Sequence, residues 1–572
     1  MQHGRAMARA RLRDGYWLAV LMLCATAVPA LAQEPDLASQ EALRQQQRER
    51  ALREREEARA DVRLGRQAEA TVRLPADEAP CFPIQRIVLD GEGADRFAWA
   101  LHAADPADDP ATGRCLGTEG VGIVMRRVQN AIIARGFITT RVLAAPQDLK
   151  SGTLTLTVVA GRVGSVRLDG DGAPRAGVRN AVAARPGNLL NLRDIEQSLE
   201  NFQRVPGVAA DVRIVPGEDA QAGPGVSDLL IDWAPRRRVR THLSLDDAGS
   251  QATGRLQAGA TLSLDNGLRL NDLFYVSLGR GVFNGHGKET SNWTAHYDVP
   301  YGYWLFGITA GGYEYGQTVP GAFQTYMYRG ASRNSELRIS RLLRRNASSK
   351  TGAYARGWRR SSSNFIDDVE VEVQRRRMAG WELGLTHRQF LGTATLDASL
   401  AWRQGTGAFA ALAAPEELFG EGTSRGRVVL ADAQVSIPFQ AGDRRLRYTG
   451  AMRTQWNRTP LVPQDRFSVG GRYTVRGFDG EVALTGDRGW LLRNELGMAC
   501  GRGMEMYLAL DGGWVGGRSA HGLPGRHLAG TALGLRGGWR GMYWDGFIGT
   551  ALDTPKGMSA DTTLGFSLGW SH

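Results

Sequence analysis

The sequence predicts a membrane β-barrel of about 16 antiparallel strands, preceded by two periplasmic α+β domains and an N-terminal helix. Three observations lead there: an export signal at the N-terminus, an α+β pattern that occurs twice, and an unbroken alternation of apolar and polar residues from Arg238 to His572. The chain has 572 residues, more than one compact core needs, and 73 of them are glycine with no Gly-X-Y period. That composition excludes a collagen and argues against a helix bundle.

The export signal occupies residues 1–32. Arg5, Arg9, Arg11 and Arg13 precede an apolar run from Tyr16 to Val28, and Ala30-Leu31-Ala32 places small residues at the cleavage site. The run is too short to span a hydrocarbon layer of ~30 Å, and Cys24 follows the bulky Leu23, which disfavours a lipoprotein site. The formal net charge of +11 loses three with this segment, whose four arginines face only Asp14. The remaining arginines are scattered, so no nucleic-acid partner is expected.

Residues 33–64 are expected to form a helix. Leu37 to Leu64 is rich in Gln, Arg, Glu and Ala, with no Pro or Gly, and its apolar face (Leu43, Leu52, Val62) is thin. A helix polar on nearly every side needs water or a wet cavity around it. Residues 65–80 read as a linker.

Two small domains follow, at 81–160 and 161–235. The first reads as a strand Ile84–Leu89, a helical stretch Arg96–Ala104, an amphipathic helix Val121–Arg135, and strands Arg141–Ala144 and Leu154–Val159. The second reads as a strand Val163–Leu168, helices Ala176–Ala184 and Leu192–Asn201, and strands Val208–Val215 and Leu229–Trp233. Cys81 and Cys115 both fall in the first domain, where a bridge stabilises by about 3–4 kcal/mol in the chain-entropy picture. A zinc site is the competing reading, but no Cys or His pair lies at ligand spacing. Cys500 has no partner and reads as an unreactive turn residue.

Residues 236–572 form the barrel. Val239, Thr241, Leu243 and Leu245 alternate with Arg238, Arg240, His242 and Ser244, and Asp265-Asn266-Gly267 reads as a tight hairpin turn. Short turns (Cys500–Gly503, Arg540-Gly541) alternate with long loops (Phe467–Gly489, Gly516–His527), the wiring of an outer-membrane barrel. About 335 residues at roughly 21 per strand and connection give sixteen strands, an even number. His242, His296 and His521 read as ordinary polar strand or loop residues. No HExxH occurs, Gly285-His286-Gly287-Lys288-Glu289 is no P-loop, and neither an enzyme nor a cofactor is expected.

One constellation stands out. Phe467-Ser468-Val469-Gly470-Gly471 runs into Val475-Arg476-Gly477-Phe478, and Leu492-Arg493-Asn494-Glu495-Leu496 follows. Strand parity puts Met504, Met506, Leu508 and Leu510 on one face and Glu505, Tyr507 and Asp511 on the other, so Asp511 faces the lumen. Gly512-Gly513 follow it. A loop folded back into the pore would bring Arg476 to Asp511; two unrelated polar residues are the alternative.

The run from Val469 to Leu496 resembles the Val-Arg-Gly-aromatic loop of the Omp85 superfamily, and more narrowly the two-partner secretion transporters that export filamentous haemagglutinins and haemolysins. Gln147-Asp148-Leu149 with Gly152–Gly161 resembles the end of their first POTRA domain, Asn201–Gly207 and Pro216–Asp228 their second, and Asp246–Gly249, Asp272 and Asp298–Gly302 their first barrel strands. The resemblance implies a pore-plugging helix, two periplasmic POTRA domains, and a lumenal pairing of Arg476 with Asp511 of a Phe-x-Asp-x-Gly motif that ends at Gly513. It also implies a secreted exoprotein as partner, captured on POTRA sheet edges, in a monomer set in outer-membrane lipid. A barrel-assembly factor of the same superfamily is the alternative function. Two departures stand out: Ala509 replaces the motif's Phe, and the chain ends Trp570-Ser571-His572 rather than on an aromatic residue, so recognition of the last strand falls to Trp570 or Phe566.

Overall fold

The computed structural model describes residues 37–57, 60–65, 72–169, 175–218, 223–501, 503–558 and 561–572; the expected signal segment lies outside them.

The polar helix, α1, spans Leu37–Glu56 and stops short of the expected Leu64; residues 60–65 are not helical. In the first small domain, helix α2 (Thr118–Ala134) buries Ile123, Val124, Val128 and Ile132 at helical spacing against a three-stranded sheet. Its central strand Thr153–Val159 pairs parallel with Arg86–Asp90 and antiparallel with Arg141–Leu143, and supplies Leu154, Leu156 and Val158 to the core. The second domain repeats the plan. Helices α3 (Arg175–Ala181) and α4 (Leu192–Gln203) cover a sheet in which Val226–Pro235 lies between Arg162–Asp169 and Val208–Pro216. Asn191 caps α4, its side chain accepting from Arg193 N at 2.8 Å. A disulfide joins Cys81 to Cys115.

Residues 72–80, expected as a spacer, pack onto the first domain. Leu74 is buried in its core and donates its N–H to Asp109 at 2.9 Å. The Glu78 carboxylate accepts from the N–H groups of Gly117, Glu119 and Gly120, at 2.8, 2.7 and 3.1 Å, at the start of α2. Burial pushes the Glu78 carboxyl up, but these donors outweigh it and hold it below its usual range. Asp109 is held low as well, first by the Leu74 N–H and then by Arg127.

From Val239 onward sixteen principal strands of the described residues close into one barrel, with a two-residue strand, Val369–Glu370, added at the end of Ser349–Ile366. Alternation sets each face. On Met504–Gly516, Leu508 and Leu510 are each 54% exposed, whereas Tyr507, Ala509 and Asp511 are buried inside. The barrel closes between Val239–Asp246 and Thr563–Ser571 over five residue pairs, from Ser567–Asp246 to Ser571–His242. Leu564, Leu568 and Trp570 face outward on that last strand.

The first hairpin turn is longer than Asp265-Asn266-Gly267 suggests: residues 266–272 connect the strands. Asp272 organises it by accepting from Leu268 N and Leu270 N, both at 3.1 Å. The extra residues meet the second small domain. Gly207 N donates to Asp265 at 2.7 Å, and Asn271 donates to Gly177 O at 2.6 Å.

Candidate functional site

The loop between Arg444–Asn457 and Arg488–Gly501 folds back into the barrel. A local core of Phe467, Val469, Val475, Phe478 and Leu484, packed on Leu491, Val515 and Leu528 of the wall, holds it there. Gly477 has φ +103°, and a Cβ on it would lie 2.3 Å from Thr550 O. Any other residue would therefore push the loop off the wall. Gly530 is similarly confined, its missing Cβ lying against Arg476 O, and Gly513 leaves room for Val469.

This packing aims Arg476 at Asp511. Arg476 Nε and Nη2 donate to the two carboxylate oxygens of Asp511 at 2.7 and 3.0 Å, and the Arg476 backbone N–H adds a third bond at 3.1 Å. Nη1 pairs with Glu495 at 2.6 Å. The network continues from Glu495 to Arg536 at 2.7 Å, and from Arg536 to Glu505, which also pairs with Arg447 at 2.6 Å. A pair in a wet pore would contribute only ~1 kcal/mol. This pair is not of that kind, because the side chains of Arg476 and Asp511 are 6% and 0% exposed. Removing one member of a buried pair costs about 3–5 kcal/mol, since the other charge is stranded.

Ala509 leaves no ring where the resemblance implied a Phe, and its neighbours pack there instead. Tyr507, Ala532 and Phe547 pack with Ala509, and the Tyr507 ring lies beneath the guanidinium groups of Arg536 and Arg476, at 4.8 and 5.9 Å. A second loop arginine, Arg472, joins the barrel's closing strands: it pairs with Asp247 at 2.8 Å and donates to Phe566 O at 3.2 Å. Glu495 was not read as a second partner of Arg476; its alternation with the outward Leu492 and Leu496 is the signal that could have found it. Arg472 gave no such signal, because its partner lies 225 positions earlier in the chain.

Helix α1 stands inside the barrel, against the same loop. At its start, Arg44 donates to Gly480 O at 2.5 Å, and Glu41 accepts from Ser250 and Thr253, both at 3.2 Å. Midway, Arg50 pairs with Asp432 at 2.8 Å and Arg53 with Glu336 at 2.6 Å, while Asn334 donates to Glu49 at 3.0 Å. At its end, Glu56 accepts from Ser263 at 2.9 Å. His242 and His296 are lumen-facing and buried: His242 bonds Ser571 at 2.8 Å, and His296 bonds Thr309 at 2.8 Å and lies 3.6 Å from Glu57. Cys500 is exposed at a strand end beside a register shift.

Below α1, the chain is clasped between α4 and the barrel rim. Glu196 and Glu200 of α4 accept from the N–H groups of Leu64 and Val62, at 2.8 and 3.0 Å. The same two carboxylates pair with the buried Arg345 of the barrel at 2.9 and 2.8 Å, and Asp61 pairs with Lys350 at 2.9 Å and Arg388 at 2.6 Å.

A sixteen-stranded barrel with a locked inward loop, a helix in its lumen and two α+β modules at its periplasmic rim defines an outer-membrane protein transporter of the two-partner secretion type. The chain belongs to the haemolysin secretion/activation protein family ShlB/FhaC/HecB, matched over residues 225–537. A ShlB-type POTRA domain matches residues 82–161, and a second POTRA domain 162–216. It is 35% identical to the outer membrane transporter CdiB-2 of Burkholderia pseudomallei (strain 1026b), over 86% of each chain. It is 30% identical to an outer membrane transporter CdiB of Escherichia coli, over 80% of this chain and 77% of that one. Among solved structures, CdiB from Acinetobacter baumannii superposes with a TM-score of 0.84 at 29% identity, covering 94% of this chain and 99% of the other.

Proposed function

We propose that this transporter exports one partner exoprotein, haemolysin- or CdiA-like in kind, unfolded and without nucleotide hydrolysis, as a monomer in outer-membrane lipid. The chain enters along the POTRA sheet edges, where Arg86–Asp90 and Arg141–Leu143, and Val208–Pro216 with the part of Arg162–Asp169 beyond its bridge to Leu189, leave one side without a strand partner among the described residues. Backbone pairing there tolerates almost any sequence. The lumen is then vacated by α1 as the exoprotein arrives.

The observation that carries this reading is the chemistry of α1 inside the barrel. Most of its wall contacts are hydrogen bonds and ion pairs, which water replaces at small net cost, with Leu52 and the small Ala38 and Ala42 as its buried or packed apolar residues. The Arg476–Asp511 lock keeps the loop, and with it the pore shape, fixed while α1 moves. In the producing bacterium, deleting the gene removes one large protein from the medium, and restoring it with Arg476→Ala does not bring that protein back. Normal secretion by the Arg476→Ala variant rejects the role given to the lock.

A further inference from the structure

Arginine on the lipid-facing wall of a barrel is unfavourable unless something anionic meets it, and three arginines cluster there on adjacent strands. Register places them. Arg333 of Thr325–Arg345 lies opposite Ser361 of Ser349–Ile366, which lies opposite Arg377 of Arg376–Leu391. One step down, Arg359 pairs with Ser335 on one side and Ala379 on the other. All three arginines are exposed. They share their face with Leu337 and Trp381, which project outward at 54% and 39% exposure, and not with the lumenal Arg356 and Arg360.

Their depth is fixed by the other end of the strand. Arg345 meets POTRA glutamates at the periplasmic rim, and Arg333 lies twelve residues away. At ~3.3 Å per residue and a tilt near 45°, that is about 28 Å, the outer boundary of the apolar band. None of the three forms an ion pair among the described residues. Glu370, which feels the charge of Arg377, is already held by Arg375 at 2.7 Å, and Glu314 shares the outer face one row above Arg333.

Directly beneath Arg359 the wall is grooved. Gly357 has open space where a Cβ would stand, between Leu337 and Trp381, and Ala355 lies below it between Ile339 and Leu383. A cationic triangle thus sits over an apolar furrow that runs toward the middle of the bilayer. We propose that this is a binding site for a phosphorylated, acylated glycolipid of the outer leaflet: phosphate on Arg333, Arg359 and Arg377, and one acyl chain in the furrow at Gly357. Guanidinium forks suit phosphate, and a Trp at the groove's rim suits the lipid interface.

The test uses the full chain in nanodiscs and measures binding of purified lipid A, phosphatidylglycerol and deacylated, phosphorylated lipid A disaccharide. Three forms are compared: wild type, the triple variant R333A/R359A/R377A, and G357L, each shown to be folded by its heat-dependent gel mobility. Wild type is expected to prefer lipid A over phosphatidylglycerol at least tenfold. The triple variant loses that preference, and G357L weakens lipid A severalfold while leaving the deacylated disaccharide unchanged. Lipid A binding by the triple variant at the wild-type level overturns the site, as does equal binding of phosphatidylglycerol by wild type. Undiminished lipid A binding by G357L overturns the acyl furrow. A triple variant that keeps lipid A but loses affinity for an acidic exoprotein segment assigns the arginines to a protein and rejects the lipid.

Discussion

Asp511 has no exposed side-chain surface, and without Arg476 its nearest remaining cation is Arg493 at 3.9 Å. Arg476→Ala therefore strands a buried carboxylate, and we expect an assembled barrel whose thermal unfolding midpoint falls measurably. Adding Asp511→Ala removes the stranded charge, so the double variant should regain much of that stability while export stays impaired. Equal destabilisation in the single and double variants would show that the two groups are not coupled. Parity along Met504–Gly516 was enough to send Asp511 inward, because a barrel wall offers only two faces. Tyr507 and Phe547 as supports for Ala509 were not readable, since they come from packing between strands whose register no local pattern fixes.

At the scale of elements, the docked segment 72–80 carries its own pH dependence. Glu78 and Asp109 are both held below the ordinary carboxylate range in the folded chain. A lowered folded value means that their stabilisation is complete above the unfolded value and lost as pH falls through the folded one. Amide protection of residues 72–80 should thus be constant from neutral pH to about 5 and decline below about 4, where unfolded carboxylates take up protons. Loss of protection between pH 7 and 6 would contradict it. The disulfide acts on the same domain. Reducing Cys81–Cys115 removes about 3–4 kcal/mol from it alone, and limited proteolysis should then cut within residues 82–161 while the barrel stays intact. The helix Thr118–Ala134 and the strand Thr153–Val159 were legible because each carries a periodic apolar face, whereas the stretch expected at Arg96–Ala104 is a 3-10 segment, Ala94–Ala103, and the helix expected at Ala176–Ala184 ends at Ala181. The docking of 72–80 and the length of turn 266–272 were not, because both are set by single carboxylates accepting backbone N–H groups across a tertiary contact.

Across the whole molecule, charges that look scattered in the sequence converge at one place, the rim where α4, residues 60–64 and the barrel meet. Arg345 serves both glutamates of α4 and also donates to Val62 O at 2.5 Å. Arg345→Ala is expected to leave the barrel folded but free the POTRA domains, read as a wider spread of distances between spin labels on the two parts. An unchanged distribution would mean that the remaining contacts, among them Arg204 with Asp298, Asn201 with Gly302 O, and Gly207 N with Asp265, hold the joint without Arg345. The alternation from Arg238 onward revealed the barrel itself, whereas this joint draws on residues from four separate stretches of chain.

The clasp at residues 60–64 has a kinetic consequence. Helix α1 spans twenty residues, about 30 Å of rod, and its lower end is moored within a few residues of the periplasmic mouth. Displaced as proposed above, it would stay tethered beneath the opening at an effective concentration on the order of millimolar. Resealing is then a first-order event, independent of how many transporters the membrane holds, and an emptied channel leaks only for as long as one short leash takes to find its way home.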